Sequence, residues 1–358
     1  MEQSVLQNVM SELETKFKPR KILSSLLSKS YKRLGTGFEN KSVSVKDCGN
    51  FLAFQSGKLQ TADFCRDRLC PMCSWRKTLK IAGQVSSIVE SLVESLVVDY
   101  DFLFLTLTVP NCSGSDLPRT VTRLYNAWSK LRKRKRFKDS VCGYFKALEI
   151  TRNLNKRSKS YGTYHPHFHI ILAVKKNYFT SNKYIKRSEW LDMWRSCYGD
   201  NSITQVDVRK CFSKNKKRGY KSLSSAVVEV AKYAVKPSSY LGITDKKGNF
   251  TPYADSIVDE SVATLSEALK YRRIFEMRGI FREVFDELGF DDAEEGDLVV
   301  TDAGEVVDIK VNTDPVYVYR WSFRDKRYNL FKIYHCSYYT SNPEDEFYAR
   351  PPVCLAKK

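Results

Sequence analysis

Three of the four histidines in the chain fall at alternate positions of one short apolar run, Tyr164-His165-Pro166-His167-Phe168-His169-Ile170-Ile171-Leu172. In a strand, residues two apart share a face. His165, His167 and His169 would then sit on one side, with Phe168, Ile170 and Leu172 on the other. Imidazole is neutral near pH 7 and is the commonest metal ligand. The run reads as half of a divalent-metal site carried on one strand.

Two further groups of residues could do chemistry. Ala226, Val227, Val230 and Ala234 follow helical spacing up to Pro237, which predicts a helix ending near Lys236. On it Glu229 and Tyr233, four apart, would stack a carboxylate beside a phenol. Cys65, Cys70 and Cys73 lie close together, with Cys48 upstream. Four such thiols suit one tetrahedral structural Zn²⁺, with Cys70-Pro71-Met72-Cys73 as the short-spaced pair. The other six cysteines, out of ten, are scattered and read as small core or surface residues.

Four blocks carry a resemblance to a known family. His167-Phe168-His169 resembles the His-hydrophobic-His motif of the HUH endonucleases, and Glu229-x-x-x-Tyr233 with Lys236-Pro237 resembles the nucleophile helix of single-tyrosine rolling-circle plasmid replication initiators. The run from Phe104 to Asn111 is similar to the first motif of that family, and Cys65 to Arg76 to its N-terminal cysteine segment. The blocks stand in family order over residues 45–245. The resemblance implies that His167 and His169 hold Mg²⁺ or Mn²⁺ and that Tyr233 is the nucleophile. It implies Glu229 as general base for water at termination. A third metal ligand would be Glu149 or His165, and a carboxylate suits a hard ion better than another imidazole. Tyr240 is a fallback nucleophile. The implied partners are double- and single-stranded DNA at a plasmid origin, with a host helicase and polymerase. A homodimer is an open possibility.

Periodicity supplies the elements that must hold these groups. Residues 75–97 predict a helix with Ile81, Val85, Ile88 and Leu92 on one side, and 102–109 a buried strand. A helix from about Pro118 to Arg136, capped by Asp116, would bury Val121, Leu124, Trp128 and Leu131. Strands are predicted at 144–151, 164–174 and 203–208, and a short helix from Ser188 toward Gly199. Later, 261–288 reads as helix, and 299–311 and 316–339 alternate like strands. The acidic patch 291–297, with five carboxylates in seven residues, reads as a solvated linker.

The expected fold is α+β: an HUH-type central antiparallel sheet with helices packed against it, a small N-terminal zinc-binding segment and a C-terminal extension. The expected divisions are 1–97 (cysteine cluster and helix), 98–250 (nicking and strand transfer) and 251–358 (extension of unknown role). Lys and Arg number 60 against 41 Asp and Glu, a formal charge of +19 that favours a polyanionic partner. Arg132, Lys133, Arg134, Lys135 and Arg136, then Lys216, Lys217, Arg218 and Lys232, are natural phosphate contacts. No apolar run is long enough to span a membrane and no signal peptide is visible, so a cytoplasmic setting is expected. Two function classes stay open: a metal-dependent DNA strand transferase (initiator, relaxase or single-tyrosine transposase), and a non-catalytic zinc-dependent DNA-binding regulator.

Overall fold

The computed structural model describes residues 2–94, 99–212, 221–232, 234–301 and 314–335. Toward the N-terminus come α1 (Glu2–Glu12), a π-helical turn (Leu13–Phe17), α2 (Lys18–Leu34), α3 (Glu39–Asp47), β1 (Phe51–Gln55) and β2 (Lys58–Ala62). Then follow α4 (Pro71–Glu94), β3 (Tyr100–Thr108), α5 (Leu117–Leu131), α6 (Lys135–Ser140), β4 (Gly143–Arg152) and β5 (Tyr164–Lys175). Next are α7 (Arg187–Tyr198), β6 (Asp207–Phe212), β7 (Lys221–Ser222), α8 (Leu223–Val230), β8 (Gly242–Thr244) and β9 (Phe250–Pro252). The last are α9 (Asp255–Leu269), β10 (Phe275–Gly279), α10 (Ile280–Glu287), β11 (Val316–Ser322) and β12 (Arg327–Tyr334).

The chain forms two compact units, Lys77–Gly296 and a second made of Met1–Arg76 with Asp297–Lys358. This grouping departs from the sequence-order divisions at 97 and 250. In the second unit β1 pairs antiparallel with β11, in a four-stranded sheet ordered β12-β11-β1-β2. Strand pairing between segments more than 250 residues apart leaves no local signal. Residues 251–296 belong instead to the larger unit, where β10 adds to the edge of its sheet.

That larger sheet has six strands in the order β10-β4-β5-β3-β6-β7. Every pairing from β10 to β6 is antiparallel, and only the two-residue β7 runs parallel to its neighbour. Helices cover both faces. On one, Phe102, Phe104, Phe145 and Ile171 pack against the inner sides of α4, α8 and α10. On the other, α5 lays Tyr125 and Trp128 edge-on to Phe168, at 5.2 and 6.3 Å between ring centres. Burial on both faces explains why 102–107 and 168–174 read as almost unbroken apolar runs although the sheet is antiparallel.

Several expectations are corrected. α5 starts as expected, but the Asp116 side chain does not cap it: its carboxylate accepts a hydrogen bond from the Ser113 hydroxyl at 2.7 Å. The strand expected at 203–208 begins only at Asp207, because the carbonyls of Ile203 and Val206 are taken by Arg195 and Arg187 of α7. The helix expected over 261–288 is split by β10, whose Glu276 reaches the buried Lys146 at 3.3 Å. The acidic patch is not merely solvated. Asp291 and Asp292 pair with Lys80 and Arg273, and Glu294 accepts the backbone N–H groups of Ile274 and Phe275. The strand expected at 299–311 falls mostly outside the described residues, and 316–339 becomes the hairpin β11–β12 as far as Tyr334.

Candidate metal centres

β5 lies between β3 and β4, so its face is flanked on both sides. In register, His167 stands opposite Glu149 of β4 and Thr108 of β3, and His169 opposite Ala147 and Thr106. Directly opposed residues of an antiparallel pair share a face. The sheet itself therefore brings two imidazoles and a carboxylate together. The Nε2 atoms of His167 and His169 are 3.1 Å apart, and Oε2 of Glu149 is 3.0 Å from the latter and 3.4 Å from the former. Donors held at about 2.1 Å by an octahedral divalent ion stand about 3.0 Å from one another. The three atoms already have that spacing.

The surrounding groups aim the ligands. Nδ1–H of His167 donates to the carbonyl of His165 at 3.1 Å, and the Thr106 hydroxyl lies 3.3 Å from Nδ1 of His169. With Nδ1 engaged, Nε2 is left to face the common point. Burial opposes ionising Glu149, but hydrogen bonds from His167 and His169, and Lys236 with Nζ 2.8 Å from Oε1, hold its carboxyl well below the usual range. Burial pushes the His169 imidazole down, against the pull of Glu149. Burial and the neighbouring His167 push His165 down to about 4. Two of the three imidazoles are thus biased to the neutral, ligating form. His165 does not join the three-donor group; its ring stacks on His167 at 5.1 Å between centres.

Glu229 comes close to this group, with Oε1 3.8 Å from Nε2 of His169, and its other oxygen pairs with Lys232. The expected helix to Lys236 is corrected: α8 ends at Val230. Beyond it the Ala234 carbonyl accepts the N–H of Ile150 at 2.7 Å, and Lys236 is extended before Pro237, as a pre-proline residue prefers. The chain is drawn along β4 rather than wound on, and this carries Lys236 to Glu149. Tyr233 lies outside the described residues. The fallback Tyr240 is buried at 1 % exposure.

The second centre belongs to the other unit. Sγ of Cys48 is 3.5 Å from that of Cys73 and 3.6 Å from that of Cys70, and Cys65 is 3.7 Å from Cys73. Thiolates at about 2.3 Å from a tetrahedral zinc lie about 3.8 Å apart. The backbone N–H of Arg66 points at Cys73 Sγ (3.2 Å) and the Ser24 hydroxyl lies 3.4 Å from Cys70 Sγ. Burial resists charging the Cys70 thiol, yet its hydrogen-bonded neighbours hold it well below the usual range, while the same neighbours drive Cys73 well above. Beside them Lys21 is fully buried and donates to the carbonyls of Lys46 and Cys48, each at 2.7 Å. Burial pushes its ammonium down to about 8, against the attraction of Cys48 and Cys70.

The expected phosphate contacts are less uniform. Arg134 donates to Ser196 and Cys197, and Arg136 pairs with Glu189 and two backbone carbonyls, so both brace α7. Arg132 and Lys133 follow the end of α5 and Lys135 opens α6, just ahead of β4, whose first residue is six strand positions from Glu149; α5 packs on the face of the sheet opposite the histidines. Lys232 is paired with Glu229, and Lys216, Lys217 and Arg218 lie outside the described residues. Sequence reasoning missed Thr106, Lys236 as partner of Glu149, and Lys21. Thr106 had a signal in its alternation with Thr108 next to the histidine strand, and Lys236 in its place beside Pro237 in the motif, though not as a partner of Glu149; Lys21 had none.

Among the described residues no helix is long and apolar enough to cross a membrane. No solved structure matches the chain. Residues 56–329 match the replication protein family. A Protein rep of Bacillus sp is 36% identical over 280 residues, 73% of this chain and 85% of that protein. One from Bacillus amyloliquefaciens is 35% identical over 303 residues, covering 78% and 84%, and one from Staphylococcus aureus 40% over 210, covering 57% and 85%. The chain belongs to the replication protein family, that of the plasmid rolling-circle replication initiators its motifs resemble.

Proposed function

We propose that this initiator nicks one strand of a plasmid origin by an HUH-type reaction in the Lys77–Gly296 unit. The observation that carries the reading is the triangle of Glu149, His167 and His169 on the open end of the sheet face, 3.0–3.4 Å between donor atoms. Two nitrogens and a hard oxygen suit Mg²⁺ or Mn²⁺. When bound, such an ion polarises the scissile phosphate and offsets its developing charge. Tyr233 Oη forms a bond to phosphorus as the P–O3′ bond breaks. Its proton leaves, the departing O3′ takes one up, and a 5′-phosphotyrosyl link and a primer 3′-OH result. A phenol is mostly neutral at pH 7, which is why it needs such a setting. The freed 3′-OH serves a host polymerase, with a helicase ahead. At termination Glu229, beside His169, takes the proton of a water that attacks the phosphotyrosyl bond. The two-metal-centre arrangement favours this reading over a non-catalytic regulator, which would need the thiol site alone.

The test incubates the full chain with Mn²⁺ and a labelled origin oligonucleotide. Wild type becomes covalently attached and Tyr233→Phe does not, while Glu229→Ala attaches but releases poorly. Attachment that survives Tyr233→Phe removes Tyr233 from the reaction.

A further inference from the structure

The hairpin β11–β12 carries a cluster that neither metal centre uses. Arg320, Arg324, Lys326, Arg327 and Lys332 lie on it against one carboxylate, Asp325, which accepts the Ser322 hydroxyl at 2.8 Å. All five cations are exposed, and among the described residues none has a carboxylate within ion-pair distance. Two aromatic rings accompany them. Phe331 is 55 % exposed, an unusual position for so large an apolar ring. It meets Phe51 of β1 at 5.8 Å between centres. The Arg320 guanidinium lies 5.4 Å from the Phe51 ring and 5.6 Å from the Phe331 ring. Since Phe51 stands opposite Arg320 in register, the pairing of β1 with β11 fixes this combination.

We infer that this face binds single-stranded DNA, with an unpaired base stacking on Phe331 and Arg320 and the neighbouring phosphates met by the hairpin cations. Exposed rings interleaved with arginine are what unpaired bases need, because every base has a π-face whereas the bases of a duplex are already stacked. Exposed cations in this number, with one carboxylate among them, suit the phosphates of a polyanion. The inference rests on the family's DNA partner and not on the nicking reaction.

The test is binding of the full chain to fluorescent oligo(dT) and to a duplex of equal length, without divalent metal, across a salt series. Phe331→Ala should weaken oligo(dT) binding roughly 5- to 150-fold, the worth of one stacked base, and leave duplex affinity nearly unchanged. Phe331→Tyr should restore binding. The triple change Arg324→Gln, Lys326→Gln, Arg327→Gln should flatten the salt slope for oligo(dT) by about 0.7 per lost phosphate contact. Zinc content and circular dichroism show that each variant is folded. Equal loss on duplex and single strand, or unchanged oligo(dT) affinity with Phe331→Ala, overturns the proposal. So does a change of oligomeric state without a change in affinity, which would make the face a self-association surface. Nicking enters none of these readouts, so failure of the catalytic reading leaves them intact.

Discussion

The two ligand clusters of this chain solve opposite problems with similar economy. In the smaller unit, four sulfurs enclose one point, three of them almost wholly buried, and backbone N–H groups, a serine and a lysine complete the shell. A soft four-donor set leaves no place for a substrate. In the larger unit, three donors of mixed type occupy one side of a point, and a second carboxylate nearby, Glu229, stands at 3.8 Å from His169. Coordination positions are left open there, as the proposed contact with a scissile phosphate would require. The difference teaches that donor count and softness, rather than burial, separate a closed donor set from an open one: His167 and His169 are only 8 % and 9 % exposed, yet the proposed chemistry needs their free side.

The largest effect expected is loss of the brace. Cys73→Ser removes a ligand that lies close to both Cys48 and Cys65. Structural zinc binding is itself folding free energy, so the unit should lose several kcal/mol. Metal analysis should fall from about one zinc per chain, the expectation for one such site, to little or none, with a lower first transition on heating. Full zinc retention would mean that three thiols suffice and would blur the contrast between the centres.

Next comes His169→Ala. It removes one donor and the partner of Glu149 and Thr106, while the sheet keeps its backbone pairing. Loss of metal assistance should cost several kcal/mol of barrier, roughly a thousandfold in nicking rate. Zinc content should not change, because the cysteines are in the other unit. Nicking near the wild-type rate would break the comparison at its root.

How far the sequence reveals these centres depends on the range of the interactions. The histidine strand is legible because alternation is local. Glu149 stands beside His165 as a candidate ligand only through the family resemblance, and it is the β4–β5 register, invisible in the sequence, that sets Glu149 opposite His167. The cysteines are legible from spacing. The end of α8 is not: the residues after Val230 keep an apolar helical rhythm, but a hydrogen bond from Ile150, far away in sequence, draws them out along β4. Nor could the basic run show that Arg134 and Arg136 are spent on α7. Strand β10 looked helical because its apolar residues sit within a longer helical pattern, and only the exposed edge of β4 makes it a strand. The β1–β11 pairing is the extreme case, set by contacts between the two ends of the described chain.

Each centre has one lysine, and the lysines sharpen the comparison. Lys21 is buried beside the thiol cluster. A zinc bound by four thiolates carries net negative charge, and a desolvated ammonium next to it is barely screened by salt. Lys21→Met should weaken zinc retention against a chelator by roughly tenfold or more, the scale seen for outer partners of metal ligands. The loss should be the same at low and high salt. Lys21→Arg, which keeps the charge, should recover part of it. A loss equal in both variants would assign Lys21 to packing alone.

Lys236 should have the smallest effect. Its Nζ lies 2.8 Å from Oε1 of Glu149, but its side chain is 40% exposed. It helps to hold the Glu149 carboxyl below the usual range, together with His167 and His169, against the opposing effect of burial. A carboxyl with a depressed pKa keeps its charge, and hence its use as a ligand, until the pH falls to that low value. Removing the ammonium in Lys236→Met raises the carboxyl, so protons compete for it from a higher pH. The acid limb of Mn²⁺ binding should therefore move upward. The shift should be below about one pH unit, because an exposed pair is screened by water and salt and the two imidazoles remain. It should shrink further as salt is added, in contrast to the salt-independent loss at Lys21. Titrating Mn²⁺ affinity from neutral pH down through and below the ordinary carboxylate range, at two ionic strengths, measures it. A shift toward lower pH would show that the ammonium acts mainly by repelling the metal rather than by keeping Glu149 charged.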